Sequence, residues 1–568
     1  MNYASIDAFT REPKIAYFSM EIGLRSDMPT YSGGLGVLAG DTIKSAADLK
    51  LPMVAVSILT RKGYFKQELD IYGRQTELPD ELDPSRFMSP LKERVSVFVE
   101  GREVVVSSWM YLVESAAGGK IPIIYLDTDL PENAPQDRGI THYLYGGDAE
   151  YRLKQEIVLG LGGSRMLDEL GFEIRKYHMN EGHSSLLTLE LLKRHKRDIE
   201  EVWDERLVWD LEKVRSLCVF TTHTPVAAGH DKFPYDMVQR IVGEVIPRDA
   251  LREFGGKEHL NMTLLALNLS NYINGVAKKH GEVSQSMFPG YAINAITNGV
   301  HSFTWTCDSF KRLYDKYLPG WANEPEIFVR VGRIPDDELW AAHMEAKRQL
   351  VDYVNRQTQA GMNYDTFTIG FARRATAYKR ADLLFSDVDR LARIGEGRLQ
   401  IVYAGKAHPR DESGKKLIQR IFEIKERLKD KVKIAFLENY NMDLALKIIS
   451  GVDVWLNTPL RPLEASGTSG MKATHNGVPN FSILDGWWIE GHIEGYTGWA
   501  IGPSPEVPAD PARDADDLYH KLEQVIIPAF YDEKRLWIRI MQNAIGKNAY
   551  YFNSHRMMRR YVTEAYIR

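Results

Sequence analysis

Lys472 stands at the end of a run of small and hydroxylated residues, EASGTSG at 464–470, within PLEASGTSGMKATHNGVPN. Two glycines, three hydroxyls and a carboxylate make a poor core, and the run has no apolar period. It reads as a loop feeding a helix that begins near Met471. Such a loop offers backbone N–H groups and the positive end of a helix dipole to an anion. A lysine beside it serves either as a phosphate clamp or, when desolvated enough to be partly neutral, as the amine of a Schiff base. The stretch alone leaves both open.

Three further clusters carry chemistry. YSGGLGVLAGD at 31–41 follows the apolar run KIAYFSM, and its Gly33, Gly34 and Gly36 allow a backbone to approach an anion, though such turns also serve tight packing. FARRATAYKR at 371–380 crowds Arg373, Arg374, Lys379 and Arg380 into one strand-to-helix junction, the place where an α/β sheet binds its ligand. Adjacent strand residues point to opposite sides, so Arg373 and Arg374 need not serve the same group. HMNEGHSS at 178–185 and TTHTPVAAGH at 221–230 bring histidines together with Glu181. Their spacing forms no helical HExxH pair and no carboxylate cluster accompanies them, so no metal is expected. Polar lining of a substrate cleft is the functional reading, and a hydrogen-bonded core histidine is the alternative.

These clusters need sheets to position them. Runs 14–20 and 216–221 read as buried strands, residues 150–170 as a helix despite three central glycines, and 94–99, 103–113 and 121–126 as antiparallel strands inserted into the first half. In the second half, 367–372, 399–404, 432–437, 452–456 and 479–484 read as strands alternating with helices. The expected fold class is α/β with two Rossmann-like domains facing a central cleft, residues 1–303 and 304–568, the last helix packing back on the first domain. At 568 residues, two or three domains are expected. A formal charge of -5 provides no global field for nucleic acid or an anionic membrane, so any anion must meet a local cluster. Two cysteines, Cys218 and Cys307, and no apolar leader or spanning run point to a reducing cytoplasm.

The motifs GGLG at 33–36, INGVAKKH at 273–280, TNG at 297–299, YKR at 378–380, GKAHP at 405–409, FLENY at 436–440 and GMK at 470–472 resemble, in the same chain order, those of the glycogen and α-glucan phosphorylases. The resemblance extends to the C-terminal YYFNSHRMMRRYVTEAY and implies the GT-B glycosyltransferase fold. It further implies pyridoxal 5′-phosphate held covalently by Lys472, the cofactor phosphate relaying a proton. The implied reaction is reversible phosphorolysis of terminal α-1,4-glucosidic bonds to glucose 1-phosphate with retention. Arg374 and Lys379 would then bind the substrate phosphate, with Gly34 and its neighbour Gly33 assisting. Arg373, Thr468, Ser469 and Tyr440 would surround the cofactor. Glu464, Ser466, Gly467 and Asn298 would hold sugar hydroxyls, and His223 the 6-hydroxyl. The partners are an α-glucan and inorganic phosphate, and self-association is compatible with the family.

The chain departs from the family pattern at Thr376 and Ala377, where a histidine and a glutamate are usual, at Asn441 in place of an arginine, and at Gly23 in place of a tyrosine. The short N-terminus implies no regulatory extension. A nucleotide-sugar-dependent glucan synthase of the same fold shares the SGGLG loop but needs no Schiff-base lysine. An inactive glucan-binding protein has no reason to keep Lys472, Arg374 and Lys379 together.

Overall fold

Short apolar runs separated by amphipathic stretches build two largely parallel sheets within a mixed α/β structure. The computed structural model describes residues 6–198, 200, 208–226 and 229–567. Ala227 and Ala228 of the second histidine segment, and the first five residues, lie outside the described residues. Among the described residues no helix is long and apolar enough to cross a membrane.

Seven strands of the first sheet run parallel: Lys14–Phe18, Met53–Ile58, Lys120–Asp127, Ile174–Asn180, Cys218–Thr221, Tyr272–Gly275 and Asn294–Ala295. Numbered along the chain, their spatial order is 3-2-1-4-5-6-7. Alternate residues feed two different cores: Ala16, Phe18, Val54 and Val56 on one face, Ile15, Tyr17, Met53 and Ala55 on the other. A strand covered on both faces is apolar throughout, which is why Met53–Ile58 shows no alternation in its sequence. The expected insertion is corrected in one respect. Val95–Val99 and Arg102–Glu114 are antiparallel, but Lys120–Asp127 pairs parallel with Met53–Ile58 and belongs to the main sheet. Residues 150–170 form one helical run, Ala149–Ile157, a π turn at Val158–Gly162, then Gly163–Glu169. A Cβ on Gly163 would lie 2.8 Å from the Phe18 ring, so the glycine lets the helix press against the sheet.

The second sheet holds Phe367–Ala372, Leu399–Ala404, Lys433–Leu437, Val454–Asn457, Asn480–Ile483 and Gly498–Ile501, all parallel, in spatial order 3-2-1-4-5-6. Gly498–Ile501 was not expected from its short GWAI run. Both sheets therefore reverse their winding between the first and fourth parallel strands, the position where such sheets open a crevice at their carboxyl ends. The closing helix Ser554–Tyr561 returns to the first sheet, where Met557, Met558 and Tyr561 join the core of Ile15, Tyr17 and Ile43. Tyr566 OH lies 2.7 Å from His178 Nδ1 behind that sheet.

Candidate active site

A cavity of about 610 Å³ opens at both reversal points. Glu21 and Glu181, just beyond Lys14–Phe18 and Ile174–Asn180, line one side; Arg373 and Arg374, directly after Phe367–Ala372, line the other. Gly33 and Gly34 open the 15-residue helix Gly34–Asp48 on the cavity wall. A Cβ on Gly33 would stand 3.2 Å from Arg374 Nη2, whereas one on Gly34 would meet nothing within 4 Å. Gly36 does not join this cradle: its Cβ would collide with Tyr31 and Glu21, so it is a packing glycine.

The cationic junction divides as strand alternation requires. Arg373 Nη2 donates to Glu464 Oε2 at 2.5 Å, and Lys379 Nζ donates to both Glu464 oxygens at 2.9 and 2.8 Å. Arg374 turns the other way, with Nη2 3.4 Å from Ser32 Oγ, exposed to the cavity. Arg380 leaves the site: its guanidinium binds the Thr458 and Pro459 carbonyls and Asp514, tying the loop together. Burial pushes the Glu464 carboxyl up, but the charges of Arg373 and Lys379 outweigh it and hold the pKa at about 2. Burial and the two arginines pull the Lys379 ammonium below the ordinary lysine range, against the pull of Glu464. Nε and Nη1 of Arg373 and Oγ of Ser466 remain buried without a hydrogen-bond partner. A buried donor left this way costs ~1–3 kcal/mol, and the site keeps several.

Lys472 lies on the helix Thr468–Thr474, which starts three residues before the expected Met471. Gly467, at φ 86°, makes the left-handed turn that starts it early, and a Cβ on Gly470 would stand 2.2 Å from Asn480 Oδ1. The small residues thus allow close packing on the strand Asn480–Ile483 rather than an open loop. Lys472 is only 8% exposed. Its Nζ stands 4.0 Å from the centre of the Trp305 ring, and that indole donates to both oxygens of buried Asp41 at 3.0 and 2.9 Å. Among the described residues the amine forms no salt bridge. Desolvation lowers its pKa to about 8 against the attraction of Asp41. A lysine amine free of salt bridges, partly neutral near pH 8 and facing the cavity, suits covalent capture of an aldehyde.

Of the other expected residues, Tyr440, Thr468, Ser469, Ser466, Gly467, His223 and Asn298 all line the cavity. Ser469 Oγ accepts from Trp455 Nε1 at 3.1 Å, which orients its hydroxyl. His223 Nε2 lies 2.6 Å from Asn180 Oδ1, and burial lowers its pKa to about 3, so the ring is neutral. Asn298 is buried with Oδ1 unpartnered. The histidine segments separate: His183 and His230 line the cavity, while His178 is a core histidine bonded to Tyr566 and Thr221, with its pKa lowered by burial to about 3. Among the described residues no three His, Cys, Asp or Glu side chains are grouped to hold a metal.

Sequence reasoning missed Glu21 on the cavity wall and Asp485 behind Glu464, and gave Glu181 no role beyond cleft lining. Glu21 accepts from Ser32 N and Gly33 N at 2.6 and 3.1 Å and so shapes the glycine cradle from 11 and 12 residues upstream. Glu181, at φ 72°, accepts from His223 N and Thr224 Oγ1 at 2.8 and 2.9 Å. Asp485 accepts from Glu464 N at 2.9 Å, and burial raises its pKa to about 7. A lone acid after an apolar run was the only signal for Glu21. The departures have local causes: Asn441 caps the helix Met442–Gly451 by accepting from Leu444 N at 2.9 Å, and a Cβ on Gly23 would already press on Tyr31 and Val37 at 3.1 to 3.3 Å, leaving no room for a tyrosine.

The family described as carbohydrate phosphorylase matches residues 248–494. The chain is 39% identical to maltodextrin phosphorylase of Thermococcus litoralis, covering 98% of this chain and 70% of that protein. It is 37% identical to glycogen phosphorylase of Aquifex aeolicus over its full length and 88% of the relative. An uncharacterised protein of Methanocaldococcus jannaschii is 33% identical over 97% of this chain and 99% of its own. At this identity over nearly the whole chain, the chain is a member of the carbohydrate phosphorylase family.

Proposed function

We propose that the protein is an α-glucan phosphorylase of the GT-B type, with residues 1–303 and 304–568 as two Rossmann-like domains and the site between them. The observation that carries this reading is Lys472: a buried amine lowered to about pKa 8 beside a cavity rich in cations and unpartnered donors. Neither a nucleotide-sugar synthase nor a glucan-binding protein has a use for it. The named relatives, a maltodextrin and several glycogen phosphorylases, support the substrate class. Lys472 would hold pyridoxal 5′-phosphate, with Arg373, Thr468, Ser469 and Tyr440 around it. The cofactor supplies, when bound, a phosphate group for acid–base chemistry beside the substrate phosphate.

The chain's own residues do the rest. Arg374, Lys379 and the Gly33–Gly34 backbone place the substrate phosphate. There it protonates the glycosidic oxygen and attacks the anomeric carbon from the same face. Cations already in place stabilise the charge that develops. Asn298, Ser466, Gly467 and Glu464 orient the sugar hydroxyls, and neutral His223 can accept or donate at the 6-hydroxyl. Bound glucan and phosphate have to displace water from the cavity, because water would otherwise capture the glycosyl centre. The two cysteines, both free, support a cytoplasmic location. The test is whether glucan plus inorganic phosphate yields glucose 1-phosphate and whether Lys472→Ala removes a borohydride-reducible pyridoxal chromophore; a colourless, inactive wild-type protein would refute the reading.

A further inference from the structure

A hairpin from the first half of the chain grips two loops of the second. Lys66–Leu69 and Gln75–Leu78 pair antiparallel and leave the main sheet. Two glutamines on it bind the backbone of those loops as well as each other. Gln67, 2% exposed, donates through Nε2 to Gly405 O at 2.9 Å and to Gln75 Oε1 at 2.9 Å, while its Oε1 accepts from Asn439 N at 2.9 Å. Gln75 Nε2 donates to Ala407 O at 2.9 Å and its Oε1 accepts from Ala407 N at 3.0 Å, the paired exchange of two neighbouring strands. Lys406 Nζ adds a bond to Phe65 O at 2.8 Å. Every polar group of both glutamine amides is satisfied, and flipping either would lose its bonds on both sides.

The gripped loops lead directly to the cations. A Cβ on Gly405 would lie 2.0 Å from Arg373 O, so the backbone of residue 405 rests on that of Arg373. Arg373 N donates to Ala404 O at 3.2 Å and Ala375 N to Lys406 O at 3.0 Å, which fixes the segment carrying Arg373 and Arg374 to the gripped loop. Asn439 immediately precedes Tyr440 on the cavity wall.

We propose that Gln67 and Gln75 are positioning residues that, through the 404–407 loop and the Arg373 backbone resting on it, set Arg374 for the substrate phosphate and couple that setting to the approach of the two halves. This rests on the phosphorylase reading. Among the described residues the hairpin bonds directly to neither the sugar-binding residues nor Lys472, so the clasp acts first on the phosphate side of the site.

The experiment compares wild type, Gln67→Met and Gln75→Met, each loaded with pyridoxal phosphate. Methionine keeps the length and removes the hydrogen bonds. Expected are faster amide hydrogen exchange at Ala407 and Asn439 and a KM for inorganic phosphate raised about tenfold, with KM for glucan little changed. An unchanged phosphate KM, or an equal rise in both KM values, overturns the proposal. If Gln67→Met does not fold, half-buried Gln75 decides alone. If wild type lacks phosphate-dependent cleavage, the phosphorylase reading fails, and calorimetric titration with inorganic phosphate then decides the clasp: equal affinity in wild type and variant overturns it.

Discussion

Lys379 Nζ stands 2.8 Å from Glu464 Oε2, and the same carboxylate oxygen receives Arg373 Nη2 at 2.5 Å. One carboxylate is thus shared by two of the cations proposed for phosphate and cofactor. An incoming phosphate has to compete with it, or draw Lys379 away as Glu464 turns to the sugar. Glu464→Gln removes the competing charge but also a sugar contact. We expect phosphate binding tighter by about five- to tenfold and kcat lower by about 100-fold. Calorimetry and steady-state rates check this; an unchanged phosphate affinity counts against the competition.

Among the described residues Arg374 forms no salt bridge, and its side-chain hydrogen bond is to Ser32 Oγ at 3.4 Å. Its planar fork is therefore available for bidentate contact with a phosphate. Arg374→Ala should raise the phosphate KM by about 100-fold with KM for glucan little affected. Arg374→Lys should recover only part of this, because an ammonium cannot reproduce the fork. Full recovery by lysine would show that charge alone suffices.

The lowered pKa of Lys472, about 8, has a signed consequence. The neutral amine is the nucleophile, so the rate of covalent loading by pyridoxal phosphate should rise with pH and level off near pH 8; an ordinary lysine would keep gaining to ~10.4. In the cofactor-free protein the unfolded chain binds more protons between those two values, so stability should rise with pH across that window. Lys472→Met should reduce that rise, leaving the part contributed by Lys379 and Lys406, whose ammonium groups burial also lowers. Stopped-flow absorbance and melting temperature against pH measure the two.

Away from the site, Asp453 is fully buried and accepts from Lys347 Nζ at 2.6 Å, His343 Nε2 at 2.8 Å and Thr368 N at 2.7 Å. The network pins the long helix Asp336–Thr358 to the start of the strand Phe367–Ala372, which delivers Arg373. Lys347→Met leaves a buried charge with less compensation and should cost ~3–5 kcal/mol in urea denaturation. A double variant that also carries Asp453→Asn should cost less than Lys347→Met alone, since no charge is left behind.

Much of this was legible in the chain. Five of the six strands of the second sheet announce themselves as apolar runs, and Arg373, Arg374, Lys379, Glu464 and Lys472 all line one cavity as their motifs suggested. Met53–Ile58 and Gly498–Ile501 were less legible, because a fully buried run lacks the alternation that marks a half-exposed strand. The Lys472 helix was read as starting late because small polar residues suggest a loop, whereas here they admit close packing against Asn480.

The residue types alone pointed to an anion, and the resemblance to the phosphorylases made that anion phosphate: four cations at one junction, a glycine turn before a helix and a lysine among hydroxyls are local facts with local physics. Only the tertiary structure decided which cation faces which partner. Arg380 turned to carbonyls and Asp514, Arg373 and Lys379 to Glu464, and Arg374 to the cavity. It also brought Trp305 and Asp41 to Lys472, and Gln67 and Gln75 to backbone more than 300 residues away. Such pairings depend on how two sheets meet, and no spacing along the chain encodes a contact whose geometry arises from packing two separately wound halves together.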